Sequence, residues 1–191
     1  ERRARLVRLE GECKIGESTA VLTMRQNPPM ADDAIRPLRQ RSFDDYFRVQ
    51  RDRVYQAIAL TIGDRDLAAE ATDEAMVRTY ERWRRVRTYD NPPGWTYRVA
   101  LNFARSRMRR RKYRSPAAVP EQPHDDAESI DPALIAALAR LPIEYRSVIV
   151  LRYFLDWSQD EIATALEIPV GTVKSRTTRG LDRLRTGRGV H

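Results

Sequence analysis

The chain has 191 residues, enough for one ordinary domain or two small ones. Charged residues make up 32% of it, mean hydropathy is −0.63, and the longest charge-free run, Val54 to Gly63, falls far short of the about 20 apolar residues of a membrane-spanning helix. A single cysteine, Cys13, excludes an internal disulfide framework and multi-cysteine metal sites, while a net charge of +8 points to a polyanionic partner if it is concentrated in one place.

Residues 1–41 lack sustained periodicity and contain Asn27-Pro28-Pro29 and Pro37, so a disordered N-terminal extension is expected. The extension is basic but has no apolar h-region, which argues against a signal peptide. The sequence opens on Glu1, with Met24 and Met30 as candidate starts. Order is expected from Ser42, which with Asp45 makes a capping box. Phe43, Tyr46, Phe47, Val54, Ile58 and Ile62 then recur at helical spacing until Gly63-Asp64.

A second helix is predicted from Asp66 to Trp83, with Leu67, Ala71, Ala75, Tyr80 and Trp83 inward and Asp66, Glu70, Asp73, Glu74 and Glu81 outward. Asn91-Pro92-Pro93-Gly94 punctuates the chain. A third helix is predicted from Trp95 to about Lys112, burying Trp95, Val99, Phe103 and Met108. Residues 98–114 carry Arg98, Arg105, Arg107, Arg109, Arg110, Arg111, Lys112 and Arg114 with no acid, a charge equal to the whole net excess. So dense a run reads as a nucleic-acid contact, the bland alternative being a solvated helix end. No stretch alternates with period two for long enough to demand a strand.

Residues 115–131 hold three prolines, five acids and no basic side chain, the composition of a flexible acidic linker. An ordinary tether between domains and a segment folding back on the basic run both fit it. Beyond it, Leu134, Leu138 and Leu141, then Val148, Leu151 and Leu155, mark two short helices. Ser158 and Glu161 form a second capping box opening a helix with Ile162 and Leu166 on its apolar face. Ile168-Pro169-Val170-Gly171 makes a turn, and a longer basic helix follows to about Arg185.

A short capped helix, a tight turn and a basic helix make a helix-turn-helix, whose second helix enters the DNA major groove. At 100° per residue, Val173, Thr177, Gly180, Leu181 and Leu184 share the inner side. Ser175, Thr178, Arg179 and Asp182 centre on the opposite side, flanked by Thr172, Lys174, Arg176 and Arg183. Lys and Arg suit guanine edges and phosphates, and Ser and Thr suit either, so the residue types match groove reading. A helical hairpin with a solvated basic face is the plainer reading of the same pattern.

Leu141-Pro142, Arg152-Tyr153-Phe154, Ser158-Gln159-Asp160-Glu161-Ile162-Ala163 and Val170-Gly171-Thr172-Val173-Lys174-Ser175-Arg176 resemble the −35-binding domain of bacterial sigma factors of the extracytoplasmic-function (ECF) type. Asp66-Leu67-Ala68-Ala69-Glu70 through Trp83 is similar to that family's core-polymerase helix, and Trp95-Thr96-Tyr97-Arg98-Val99-Ala100-Leu101-Asn102 to its −10 reader. The resemblance runs over residues 42–187 in the family's order.

The resemblance implies an all-α fold: a sigma-2-like helical bundle over 42–114 and a sigma-4-like helix-turn-helix domain over 132–187, joined by the acidic linker 115–131, with 188–191 a tail. It implies a sigma factor that binds core RNA polymerase and directs promoter-specific initiation, itself no enzyme, without cofactor or metal, and cytoplasmic. Its partners would be the clamp coiled coil of the polymerase's largest subunit, the flap of the second-largest subunit, promoter DNA as −35 duplex and −10 single strand, and an anti-sigma factor. The implied −35 contacts are Thr172, Lys174, Ser175, Arg176, Thr178 and Arg179. The −10 contacts are Tyr89, Asn91, Arg98, Asn102, Arg105 and Arg109, with the 86–94 loop as a flipped-base pocket and Asn102 foremost because an amide both donates and accepts at a base edge. Asp66, Glu70, Asp73, Glu74 and Arg78 would meet core polymerase.

The sequence departs from the family pattern at several positions. Asp73-Glu74 and Met76 replace the usual Gln-Glu and Phe, and Ser106 replaces an Asp. Glu167 stands where Gly is common, Pro169 where a capping Ser or Thr is common, and Gly180 where Ala is usual, the last two changes each costing about 1 kcal/mol. The alternative function, a stand-alone helix-turn-helix regulator, leaves the first domain without a role. A metal-dependent nuclease lacks clustered ligands, since His124 and His191 lie in the linker and at the end. An RNA-binding module would need strand-borne aromatics or a GXXG loop.

Overall fold

The computed structural model describes residues 42–114 and 131–186, together with two short strands, β1 (Lys14–Ile15) and β2 (Ser18–Thr19), which pair antiparallel as Lys14 with Thr19 and Ile15 with Ser18. The expected disordered extension, apart from that pair, the acidic linker up to residue 130 and the tail lie outside the described residues. Among the described residues no helix is long and apolar enough to cross a membrane.

Eight helices follow. α1 (Phe43–Ile62) starts on the Ser42–Asp45 capping box and stops at Gly63, whose φ of 74° is a left-handed conformation that glycine adopts without Cβ strain. α2 (Arg65–Glu81) is capped by Asp64, whose carboxylate accepts from the Leu67 N–H at 2.8 Å. The helix predicted to reach Trp83 breaks at Arg82, and α3 (Trp83–Val86) is a separate turn. The break places the Trp83 ring centroid 4.9 Å from that of Tyr46 on α1.

α4 (Pro92–Arg114) begins three residues before the predicted start, because Asn91-Pro92-Pro93-Gly94 opens the helix rather than separating it from a loop. Proline lacks the N–H that a first helical turn leaves unbonded, and the Asn91 Oδ1 accepts from the Gly94 N–H at 2.8 Å. The C-terminal half contains α5 (Pro132–Ala139), α6 (Ile143–Tyr153), α7 (Gln159–Leu166), opened by the Ser158–Glu161 capping box, and α8 (Val170–Thr186).

α1, α2 and α4 pack around Tyr46, Ile58, Leu67, Tyr97 and Leu101, with Ala68, Ala71 and Ala75 of α2 fully buried beside Ala100 and Ala104 of α4. Small side chains let these helices approach closely, and this shifts the buried face of α4. Tyr97, Ala100, Leu101 and Ala104 point inward, whereas Trp95, Val99 and Phe103 are half-buried and Met108 is exposed. Phe47 and Tyr80, also expected inward, are exposed.

Most of the buried hydroxyls are paired, that of Thr72 on α2 being an exception. The Tyr46 hydroxyl lies 2.7 Å from Thr96 Oγ1, which lies 3.0 Å from Thr79 Oγ1, and the Tyr97 hydroxyl lies 2.8 Å from Thr61 Oγ1. Threonines inside helices cost propensity, and here Thr61 and Thr79 also bond back to the carbonyls of Ala57 and Ala75.

The two halves share one apolar core, which runs on from α1 and α4 into Val148, Leu151, Trp157, Ile162 and Val173. The Trp157 ring stands edge-on to Tyr97, centroids 6.2 Å apart. Arg146 of α6 donates to the Thr61 carbonyl at the C-terminal end of α1 (3.0 Å) and to the carbonyls of Ala139 (2.6 Å) and Leu141 (2.8 Å). Arg98 of α4 pairs with Glu167, the residue that ends α7.

Burial pushes the Tyr46 and Tyr97 phenols well above their ordinary value; their hydrogen bonds with Thr96 and Thr61, and the Arg105 charge acting on Tyr97, oppose it less strongly. The folded chain therefore keeps protons that the unfolded chain releases above about pH 10, so stability is unaffected below that pH and falls above it. Unfolding free energies from denaturant titrations between pH 9 and 11.5 should fall with a slope of up to about 1.4 kcal/mol per pH unit for each tyrosine. Tyr97→Phe should remove one such contribution while remaining folded at pH 8.

Candidate nucleic-acid and polymerase interfaces

The recognition helix is set by α6 and α7. Glu167 ends α7 in the left-handed conformation (φ 53°), which explains why glycine suits this position. Pro169 then supplies only its carbonyl to the N–H groups of Thr172 and Val173, with no side-chain cap. Val173 and Gly180 are buried, and Lys174, Ser175, Thr178 and Arg179 are exposed on the opposite side, with Thr172 and Arg176 half-buried at its edges. Ser175 and Thr178 donate to the carbonyls of Thr172 and Lys174, leaving their oxygen lone pairs outward as acceptors. Arg183 is turned back, its guanidinium 4.3 Å from the Tyr145 ring centroid, so it does not join this face.

Gly180 has a packing role. A Cβ there would lie 2.6 Å from Ile149 Cδ1, so glycine lets α8 sit close on α6. The helix-propensity cost read from sequence is thus offset by fit.

The basic run of α4 is partly neutralised by α2. Arg107 pairs with Glu70 and lies over the Phe103 ring, and Arg111 pairs with Asp64 at 2.8 Å. Arg109 and Arg110 are exposed, and no carboxylate among the described residues pairs with them. Arg105 is half-buried beside Tyr97, and Asn102 is exposed. Three −10 candidates come together: Tyr89, Asn91 and Arg98 line a cleft of about 380 Å³ with Thr88, Asp90 and Trp95, closed on one side by Thr164 and Ala165 of α7. Tyr89 and Trp95 have ring centroids 6.5 Å apart. Asn91 is a more limited candidate than sequence implied. Its amide oxygen caps α4, and its buried Nδ2 has no partner, leaving a donor only.

On α2, Asp73 pairs with Arg51 at 3.1 Å and Glu74 with Arg78 at 2.8 Å, while Asp66 is exposed. Sequence reasoning missed the apolar partners of this acidic face. Val77 (55% exposed) and Tyr80 (65%) stand four and seven residues beyond Asp73, on its own side of the helix, and that spacing was the available signal. Phe43 lies edge-on to Tyr80, centroids 5.0 Å apart, and continues the aromatic surface toward Phe47. Among the described residues no three His, Cys, Asp or Glu side chains gather to hold a metal ion.

Residues 132–184 match the family model for sigma-70, region 4. The ECF RNA polymerase sigma factor SigW of Bacillus subtilis is 30% identical over 165 residues, covering 76% of this chain and 88% of that protein. The RNA polymerase sigma-E factor of Streptomyces coelicolor is 33% identical over 148 residues, covering 75% and 84%. The sigma factor RpoE of Bartonella quintana, solved in complex with the anti-sigma factor NepR, superposes with a TM-score of 0.68 over 75% of this chain and 94% of that one; at 19% identity this likeness concerns the fold. The chain belongs to the ECF sigma factors, DNA-binding subunits that bind core RNA polymerase and direct promoter-specific transcription. Because the relatives align well beyond the helix-turn-helix, the stand-alone regulator is not favoured.

The fit at Gly180 should appear as non-additivity. In an Ile149→Val background, Gly180→Ala should stabilise by about 1 kcal/mol. In the wild-type background the gain should shrink by at least about 0.5 kcal/mol or change sign. Equal gains in both, measured by denaturant unfolding, would refute the contact.

Proposed function

We propose that the chain divides its promoter work between two surfaces. On this reading 132–187 is a sigma-4-like domain whose Lys174, Ser175, Thr178 and Arg179, flanked by Thr172 and Arg176, read the −35 duplex. The observation that supports it is their common exposure on the second helix of a helix-turn-helix, with Val173 and Gly180 fixing its other side. The 42–114 bundle is the sigma-2-like domain. Arg109 and Arg105 attract the melted non-template strand, Asn102 meets a base edge, and the Tyr89–Asn91–Trp95 cleft takes an unstacked base, the aromatic rings offering stacking and the Asn91 amide a donor.

Core polymerase docks on the α2 face that carries Asp66, Glu70, Asp73, Glu74 and Arg78, with Val77 and Tyr80 as its apolar centre. The exposed ion pairs there are individually weak, so exchange for partner contacts costs little. Residues 115–131 tether the two domains. The polymerase supplies the chemistry, the chain acts in the cytoplasm, and an anti-sigma factor is a further partner.

Damage to the two DNA surfaces should fail at different steps. Lys174→Ala and Arg179→Ala should weaken the closed complex at matched salt, by about 1–3 kcal/mol for a base contact and with a lower salt slope for a phosphate contact. A pre-melted bubble should not restore their −35 contact. Asn102→Ala should form the closed complex and then open poorly, as permanganate footprinting of unpaired thymines reports, with partial rescue by a bubble. Unchanged −35 affinity in both recognition-helix variants would sink the assignment.

For the polymerase face, Val77→Asp with Tyr80→Ala should lower co-purification with core enzyme at least tenfold while costing only about 1 kcal/mol of stability, since both side chains are largely exposed and Tyr80 loses only its edge contact with Phe43. Wild-type yield of the complex would rule out this face.

A further inference from the structure

One strongly basic segment takes no part in the surfaces assigned above. Residues 82–89 contain Arg82, Arg84, Arg85 and Arg87 and no acid, and all four arginines are exposed. No carboxylate among the described residues pairs with any of them. The basic run of α4 differs in this respect. Arg98 pairs with Glu167, Arg107 with Glu70 and Arg111 with Asp64, and Arg105 is half-buried. Among its described side chains, Arg109 and Arg110 are the arginines both exposed and without a carboxylate partner.

The backbone beneath the four arginines is fixed. Val86 is fully buried, and the Trp83 ring centroid lies 4.9 Å from that of Tyr46 and 5.8 Å from that of Phe43. The N–H groups of Arg85 and Val86 donate to the Arg82 carbonyl at 2.9 Å, that of Arg87 to Trp83 at 3.0 Å, and that of Tyr89 to Val86 at 3.0 Å. With Trp83 and Val86 turned inward, the two residues between them turn outward at 100° per residue. The Thr88 hydroxyl donates to the Arg85 carbonyl at 2.8 Å, which ties the cluster to the first residue lining the Tyr89–Asn91–Trp95 cleft. Arg87 stands one Cα step, about 3.8 Å, before it. Arg84 and Arg85 also suit the C-terminal end of α3, but a helix of four residues has too small a dipole to call for so many cations. A strand with one base in the cleft carries a phosphate on either side of that base, along this edge.

We propose that Arg84, Arg85 and Arg87 form a phosphate-binding edge that grips the backbone of the melted strand beside the base held in the cleft. The ligand is the sugar–phosphate backbone of single-stranded DNA, and the edge reads no base. Guanidinium forks match phosphate oxygens two at a time, and here their Cα atoms are already in place, so only side chains are ordered on binding. The three act as positioning residues: they hold the strand so that a base meets Tyr89 and Asn91. Arg82, next to the exposed carboxylate of Glu81, lies outside the edge. This inference rests on the assignment of the 42–114 bundle and its cleft to the melted strand.

Arg84→Gln, Arg85→Gln and Arg87→Gln together remove the charge while keeping long polar side chains at exposed positions. Arg53→Gln with Arg140→Gln, exposed arginines on α1 and just after α5, controls for net charge. Each full-length chain, in complex with core polymerase, is titrated by fluorescence anisotropy at several salt concentrations. The probes are a single strand carrying the −10 sequence of a promoter located by transcript-start mapping and a scrambled strand. Each phosphate neutralised on a single strand contributes about 0.7 to the slope of log affinity against log salt. The triple variant should therefore lose about 2 from that slope on both strands and bind each about tenfold or more weakly at low salt, with its preference for the −10 strand unchanged. The triple Arg→Lys variant should regain most of the slope, and the control pair should lose less than about 0.7. Unchanged −35 duplex affinity shows that the chain is folded. A triple-variant slope as steep as that of wild type, or reduced no more per charge than in the control pair, would overturn the edge and spare the cleft. Failure of the triple variant to co-purify with core would place these arginines on the polymerase and also overturn it. A wild-type complex that holds both strands equally well would overturn the cleft assignment and the edge with it.

Discussion

The position of the recognition helix depends on one buried cation. Arg146 is 9% exposed, burial lowers its pKa, and no carboxylate among the described residues compensates its charge. Its compensation comes from carbonyl oxygens: Thr61 at the end of α1, Ala139 at the end of α5, and Leu141 in the turn beyond. Helix C-termini carry partial negative charge and unbonded carbonyls, so one guanidinium caps two helices from opposite halves of the chain. A guanidinium cannot shed its proton to escape burial, and here both terminal nitrogens find carbonyls while Nε stays buried without a partner. That pins α6, and α6 in turn seats α8 through Ile149 against Gly180 and Tyr145 under Arg183. Five residues on α6 and α8 thereby fix which side of the recognition helix faces out.

Electrostatics elsewhere works by loose pairing. The acids of α2 and the arginines of α4 lie on packed neighbours, and Glu70–Arg107 and Asp64–Arg111 join them in water-exposed pairs. Such pairs contribute about 0–1 kcal/mol each, so they keep opposite charges organised without withholding the arginines from a phosphate backbone. A polyanion competes for them at little cost, whereas the core beneath, built on alanines and threonine–tyrosine bonds, does not need to move. The site is therefore a layer of exposed, weakly paired charges over a packed core.

Local signals carried much of this. Both capping boxes are satisfied by residues three apart, and the inner and outer sides of α8 follow from its own periodicity, so sequence sufficed for them. The face of α4 was not legible, because arginines surround that helix and its buried positions are mostly alanine, which has no hydrophobic contrast to reveal. Large apolar side chains drew the inward assignment to Trp95 and Met108 instead. Tyr80 misled for a related reason: an aromatic at core spacing looks buried, yet Trp83 after the Arg82 break fills the space beside Tyr46. The contact of Ala165 with Gly94 joins positions 71 residues apart and leaves no local trace. Glu167 was visible as a departure from the family pattern, but its bond to Arg98 could be found only in three dimensions.

The packing between the two halves limits which partners could part them. Its ion pair is too weak to hold the halves, since Glu167 is 71% exposed at the side chain. Apolar burial around Trp157 and Tyr97, with the Arg146 bond to Thr61, must supply most of the grip. A ligand shifts such an equilibrium only by as much as it prefers one state. Shifting the halves from 1:99 to 99:1 takes about 5.5 kcal/mol of differential affinity. Only a partner that touches surfaces hidden between the halves, or that holds the halves at a distance their packing cannot span, can supply it.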